Sequence, residues 1–389
     1  MNSLSHHTQI KKGFSAWQLP LYFSKPVLQH FLHFIDGMSS MGFTGKLTQI
    51  HVLSHHPKHR TTLSHFLHKS PWNELYLQRQ CQQFVQRQLD PNKPLFFLLD
   101  DTISKKTKPS SQAQCPIEGC GFHFSHTEGK TVWGHQVVQL MMKSGKQAYP
   151  YDFRLFQKDQ TDSKIQLSKD LVAALPFYKQ PTYLLCDSWY TSRQLIEAAL
   201  RRGTHVIGAL KTNRIIYPAG VRMQVKQFAA YLDEQDTDLV TVGQEQYRIY
   251  RYEGALHDIE SGVVVLCWPA DEPMEAKRMR CFLSTDTELT TQTILDYYSE
   301  RWSIETYFKQ VKGTLGFQGV QVRHQRAIER YWLLVQFAYL FIGAVQQDVF
   351  STAIHQMRRD QFTSIIEFVY NETRIGTSLE QIKNELLVA

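Results

Sequence analysis

Leu95 to Leu99 (LFFLL) is an uninterrupted apolar run that stops at Asp100-Asp101-Thr102. A run without polar alternation predicts a strand covered on both faces, and such a strand needs packed layers on either side of its sheet. Thr182 to Cys186 has the same character and ends in Asp187. Between them, Thr131–Met142 and Ala148–Phe156 read as strands joined by a tight turn at Gly145, and Ser163–Leu175 reads as a helix. Ser192–Arg202 follows as a helix closed by Gly203, and His205–Leu210 as a further strand. In that order the first and fourth strands can lie side by side at the sheet centre. Asp101 and Asp187 would then meet at their carboxyl ends.

A second organising stretch is Asp296 to Lys312, DYYSERWSIETYFKQVK. Its apolar spacing predicts one helix that runs until Gly313. At about 100° per residue, Tyr298, Arg301, Glu305 and Lys312 share one face. Ile304, Tyr307, Phe308 and Val311 form a neighbouring arc suited to a core. A carboxylate flanked by two cations and a phenol suits an acidic metal ligand beside a polyanionic substrate. The simpler reading is a solvated face with i,i+4 pairs such as Arg301–Glu305.

The remainder predicts a helical region at 1–90, a core at 91–348 interrupted by a β-rich insertion at 212–283, and a helical tail at 349–389. Residues 1–90 carry ten of the 17 histidines. Lys46–Leu53 and Arg60–Leu67 flank SHHPKH as two short helices, compatible with a helix-turn-helix that turns Arg60, Thr61, Thr62 and His65 towards DNA. Ser70–Asp90 reads as one more helix. No helix is expected within 212–283, and Ala327–Val349 is expected to pack under the Glu305 helix. The 389 residues, 42% hydrophobic, can bury a substantial core, and a net charge of +7 permits nucleic-acid binding without demanding it. Six scattered cysteines form a poor disulfide framework, which suggests a reducing cytoplasm. No signal peptide or bilayer span is expected: the most apolar run, Tyr331–Val345, is short for a membrane.

Three converging carboxylates repel one another unless a divalent cation neutralises them, and oxygen-only ligands favour Mg²⁺ or Mn²⁺. Two such ions can activate a water or a 3′-hydroxyl and stabilise the leaving oxygen of a phosphodiester. Tyr298-x2-Arg301-x3-Glu305-x6-Lys312 resembles the Y-(2)-R-(3)-E-(6)-K motif of the insertion-sequence-4 type DDE transposases. LLDDTISKK and LLCDSWY resemble the aspartate-bearing strands of that family, in the correct order. The resemblance, which covers roughly residues 90 to 340, implies an α/β fold, an RNase H-like core with a β-rich insertion; the helical pattern of 1–90 adds the expectation of an all-α N-terminal DNA-binding region.

By the same resemblance Asp101, Asp187 and Glu305 would be the metal ligands for Mg²⁺, or Mn²⁺ as substitute, with two ions. Arg301 and Lys312 would clamp phosphates, with Tyr298 assisting. The family pattern places its first ligand directly before Thr, so Asp101 is expected over Asp100, which would cap a turn. Trp268 is the candidate to stack on a flipped base, against the alternative of a buried strand tryptophan; Trp302 is expected to pack. The implied activity is cut-and-paste transposition, acting on transposon-end and target DNA as a homodimer in a bacterial, nucleoid-associated cytoplasm. The rivals are a domesticated DNA-binding protein and a nuclease that cuts without joining. Cys115, Cys120, His123 and His126 are zinc-type residues, but their spacing fits no common finger. His135 could approach the metals or a phosphate, or serve the structure alone.

Overall fold

A computed structural model describes residues 6–53, 59–110, 116–125, 128–158, 163–257 and 259–386. Five helices come first: α1 (His7–Ala16), α2 (Lys25–Ser39), α3 (Leu47–Leu53), α4 (Arg60–His68) and α5 (Glu74–Gln88). Then come β1 (Leu95–Lys105), β2 (Gly121–Ser125), β3 (Lys130–Ser144), β4 (Gln147–Phe156), α6 (Lys164–Ala173), β5 (Thr182–Cys186), α7 (Arg193–Leu200) and β6 (His205–Ala209). The insertion holds β7 (Ile215–Ile216), β8 (Met223–Gln224), α8 (Val225–Phe228), β9 (Asp238–Val242), β10 (Glu245–Leu256), β11 (Ile259–Pro269) and β12 (Arg280–Ser284). The chain closes with α9 (Thr291–Ser299), α10 (Trp302–Thr314), α11 (Gln325–Gln346), α12 (Phe350–Arg374) and α13 (Leu379–Leu386).

The chain divides into two compact units. One comprises Met1–Gln88, Ile103–Gln136 and Tyr307–Ala389; the other comprises Leu89–Thr102 and Val137–Thr306. The N-terminal helices are therefore not a body of their own. They share a unit with α11, which packs on α1, α2, α4, α5 and α12. By length and composition α11 could cross a bilayer, yet most of its apolar stretch is buried in this unit. The reason the helices adhere is aromatic: Phe14, Trp17 and Phe31 all pack against Phe337. Arg330, on the same helix, holds the carbonyls of Phe66, Leu67, Ser70 and Trp72. That anchoring explains why α5 begins at Glu74 and not at Ser70: Trp72 is buried, its indole N–H donating to the Phe66 carbonyl at 3.1 Å.

The second unit is built on a mixed sheet. Its order runs β3-β1-β5-β6-β12-β11-β10, with β4 on β3 and with β7 and β9 on β10. β1 pairs parallel to β5 with Leu99 opposite Cys186, and β5 pairs parallel to β6. The first and fourth strands are thus adjacent, as their apolar character and order require. Every residue from Leu95 to Leu99 and from Thr182 to Cys186 is buried. α6 and α7 pack on each other and on β4 and β6, while α9 lies against β6 and β9. Ser163, Ser192 and Thr290 cap α6, α7 and α9 through their side-chain oxygens, each accepting from a backbone N–H three residues on. The insertion is not a detached module, because β12 pairs antiparallel with β6 and continues the sheet. It also contains a short α-helix, α8, and 3-10 turns such as Ala229–Tyr231, where only strands were expected.

The stretch 296–312 is not one helix. α9 ends at Ser299 and α10 begins at Trp302. Between them, Glu300 and Arg301 donate their N–H groups to Tyr297 and Tyr298, and Ser303 and Ile304 donate to Glu300 and Arg301, all i to i+3. No Gly or Pro marks this tightened turn. Tertiary contacts hold it: Lys143 pairs with Glu300 and donates to the Ser303 hydroxyl at 3.0 Å.

Candidate active site

One residue beyond the Leu99–Cys186 pair, β1 and β5 deliver Asp100 and Asp187 from neighbouring parallel strands. The turn between α9 and α10 delivers Arg301, and the first turn of α10 delivers Glu305. Arg301 joins them: Nη1 donates to Asp100 Oδ2 at 3.2 Å and Nη2 to Glu305 Oε1 at 2.5 Å. Its Nε–H is buried and lacks a partner among the described residues. The guanidinium also lies 5.6 Å from the Tyr298 ring, which packs at 4.6 Å on Phe282. Burial, followed by the charges of Asp187 and Asp101, pushes the Asp100 carboxyl up to about 7 against the opposing pull of Arg301.

Asp101 faces other partners, since consecutive strand residues point to opposite sides. Its Oδ1 accepts from the Tyr190 hydroxyl at 2.6 Å and from Lys164 Nζ at 2.9 Å. Tyr190 is fully buried, and burial, then the Asp101 charge, raise its phenol well above the ordinary range, so it stays a donor. Asp187 Oδ1 accepts from the backbone N–H of Trp189 at 2.9 Å and of Tyr190 at 3.3 Å. The strand thus turns Asp100, which had been expected only to cap a turn, to the Arg301–Glu305 side. Asp101 is turned to Lys164.

The remaining expected residues scatter. Lys312 lies near the end of α10, beyond Tyr307, where the first unit resumes. Arg60 opens α4 in that same unit and is exposed, as are Thr61, Thr62 and His65. Ile304, Tyr307, Phe308 and Val311 are buried as expected. Trp268 is 0% exposed within β11, so it presents no face for base stacking, whereas Trp302, expected to pack, is 66% exposed. Burial also drives the His135 imidazole down to about 4; its Nε2 lies 2.9 Å from the Glu118 carbonyl, a structural role. Cys115 and His126 lie outside the described residues, and Cys120 sits 3.4 Å from His135 Nε2.

Lys164, Trp189 and Tyr190 were not foreseen. Trp189 and Tyr190 follow Asp187 directly, a signal that adjacency could have supplied. Lys164 gives no such signal, being 63 positions from the carboxylate it meets.

Among the described residues no three His, Cys, Asp or Glu side chains form a ready metal-ligand set; Arg301 engages Asp100 and Glu305, and Lys164 engages Asp101. Their chemistry nonetheless fits a hard divalent cation. The donors are all oxygen, and burial, with the charges of Asp187 and Asp101 after it, raises Asp100.

The profile of the family described as Transposase DDE domain matches residues 91–341, more than half of the chain. The chain belongs to the DDE transposase family. No curated protein matches it. The matched span contains Asp100, Asp101, Lys164, Asp187, Arg301 and Glu305. DDE transposases act on DNA and in general use divalent metal ions, which agrees with a carboxylate cluster flanked by cations.

Proposed function

We propose that the chain cuts DNA at the ends of a mobile element and joins the freed 3′-hydroxyl to target DNA. The observation that carries this reading is the meeting of Asp100 within β1, Asp187 just past the end of β5, and Arg301 and Glu305 at one helix start. Asp100, Asp187 and Glu305 would hold the ions, Mg²⁺ or Mn²⁺ and two in number. When bound, such ions supply activation of the attacking oxygen and charge stabilisation of the leaving one.

The chain's own side chains do the rest. Arg301 offers a planar fork, and exchanging carboxylate for phosphate oxygens keeps both its donors satisfied. The Tyr298 hydroxyl, with burial raising its phenol above the ordinary range, remains a donor beside it. Asp101 holds Lys164 and Tyr190 in place and is not a ligand in this scheme. Lys312 and the exposed face of α4, with Arg60, would contact DNA backbone elsewhere. A homodimer, able to hold two ends in one complex, and action at the nucleoid complete the reading by resemblance to the insertion-sequence-4 type.

The test is cleavage of labelled element-end DNA with Mg²⁺ or Mn²⁺. Glu305→Gln, Asp187→Asn and Asp100→Asn should each lower cleavage by about 10³-fold or more while DNA binding persists. Strand-transfer products from the wild type would distinguish a transposase from a nuclease. Cleavage that survives Asp100→Asn but not Asp101→Asn would return the ligand role to Asp101. Binding without any cleavage by the wild type would leave only a DNA-binding protein.

A further inference from the structure

Lys164 stands at the start of α6 with its side chain only 15% exposed. Its ammonium lies 2.9 Å from Asp101 Oδ1, 4.0 Å from the centroid of the Trp189 ring and 5.9 Å from that of the Tyr190 ring. The Asp101 carboxylate uses one of three N–H donors, so among the described residues the other two have no acceptor. Trp189 is held as well. Its backbone N–H is tied to Asp187, and its ring meets Tyr190 edge-on at 4.9 Å. The indole nevertheless remains 39% exposed.

A counter-ion for Asp101 explains the position of Lys164 but not an exposed indole laid on that ammonium. Nor does it explain an indole whose backbone is tied to Asp187 of the candidate centre. A cation with spare donors next to an open aromatic surface matches one nucleotide of a DNA strand: phosphate on the ammonium, base on the ring. We propose that Lys164 and Trp189 grip a nucleotide of the substrate strand, with Asp101 and Tyr190 as positioning residues that aim the ammonium. The pair takes an unpaired or splayed nucleotide, because a base inside a duplex has no free face to stack.

This inference rests on the proposed function, and the experiment separates the two. Binding of element-end DNA to the full chain is measured in chelator, where no cutting occurs, on a fully paired end and on an end with unpaired terminal nucleotides. Lys164→Met should lower the slope of log affinity against log salt by about one contact on both DNAs, and Lys164→Arg should restore it. Trp189→Ala should weaken the unpaired end about tenfold, leave the paired end within about twofold, and be rescued by Trp189→Phe. Thermal melting establishes that each variant is folded. If wild-type DNA is cut in Mg²⁺ yet salt slopes and end preference are unchanged in folded variants, Lys164 is a structural counter-ion and the inference fails alone. If the wild type binds neither DNA, both readings fail.

Discussion

Each unit sets a largely buried arginine against carboxylate, one acid in the first and two in the second, and the two solve the problem differently. In the first, Arg330 is 0% exposed, and each of its three nitrogens has a partner: Nε donates to Glu74 at 2.7 Å, and Nη1 and Nη2 donate to four backbone carbonyls. Trp72 covers the guanidinium at 4.4 Å. Burial works against the Glu74 charge, but hydrogen bonds from Arg326 and Arg330 hold its carboxyl down at about 2. In the second, Arg301 bridges two carboxylates, leaves Nε–H unpaired, and sits beside an Asp100 pushed up to about 7. A closed network fastens helices together. An incompletely neutralised one keeps capacity for a ligand.

The largest effect should come from breaking the closed network. Arg330→Met leaves Glu74 with Arg326 alone and takes the arginine donor from four carbonyls, of which Phe66 keeps another, the Trp72 indole; it should cost about 4 kcal/mol in urea unfolding or prevent folding outright. A loss under about 1 kcal/mol would mean that water replaces the arginine, and the contrast between the units would not hold.

Asp36 offers a second probe of the same unit. It is buried between His6 and His7, each 3.1 Å from one of its oxygens. Burial opposes its charge, but hydrogen bonds from both histidines hold its carboxyl well below the ordinary range. A depressed acid stabilises the fold above the unfolded carboxylate range, and that contribution is lost as pH falls through the folded value. Asp36→Asn should therefore cost about 2 kcal/mol at pH 7 and flatten the loss of stability below about pH 4. A variant with unchanged acid sensitivity would remove this residue from the closed class.

Asp100 should behave in the opposite sense. Its carboxyl is raised, so its contribution is present at low pH and declines as pH rises from about 4 to about 7. Asp100→Asn in chelator should gain about 1 kcal/mol at pH 8 and little at pH 5, read from melting temperatures. A destabilised variant at pH 8 would show instead that Arg301 satisfies this carboxylate fully.

Much of the second unit was legible because its signals are local. LFFLL and TYLLC are apolar without alternation, so their burial and central pairing follow from composition and order. The Arg301–Glu305 contact was legible from helical spacing. The break at Glu300-Arg301 was not: the sequence there holds no helix breaker, and the turn depends on Lys143, a strand residue far away in the chain. Trp268 and Trp302 illustrate the same limit, because burial is set by what lands on a residue and not by its type.

Chain order and residue chemistry alone determined that two buried apolar runs would lead into aspartates, that a glutamate would lie one helical turn after an arginine, and that their likeness was to DDE transposases; β1 itself does not stop at Asp100-Asp101 but continues to Lys105. Tertiary structure decided which aspartate joins Arg301 and Glu305, that Lys164 and Tyr190 take the other, and that the N-terminal helices are fastened to α11. The physical reason is range. Strand and helix patterns are written within a few residues by backbone geometry, whereas charge pairing and burial depend on distances that only the packed chain defines.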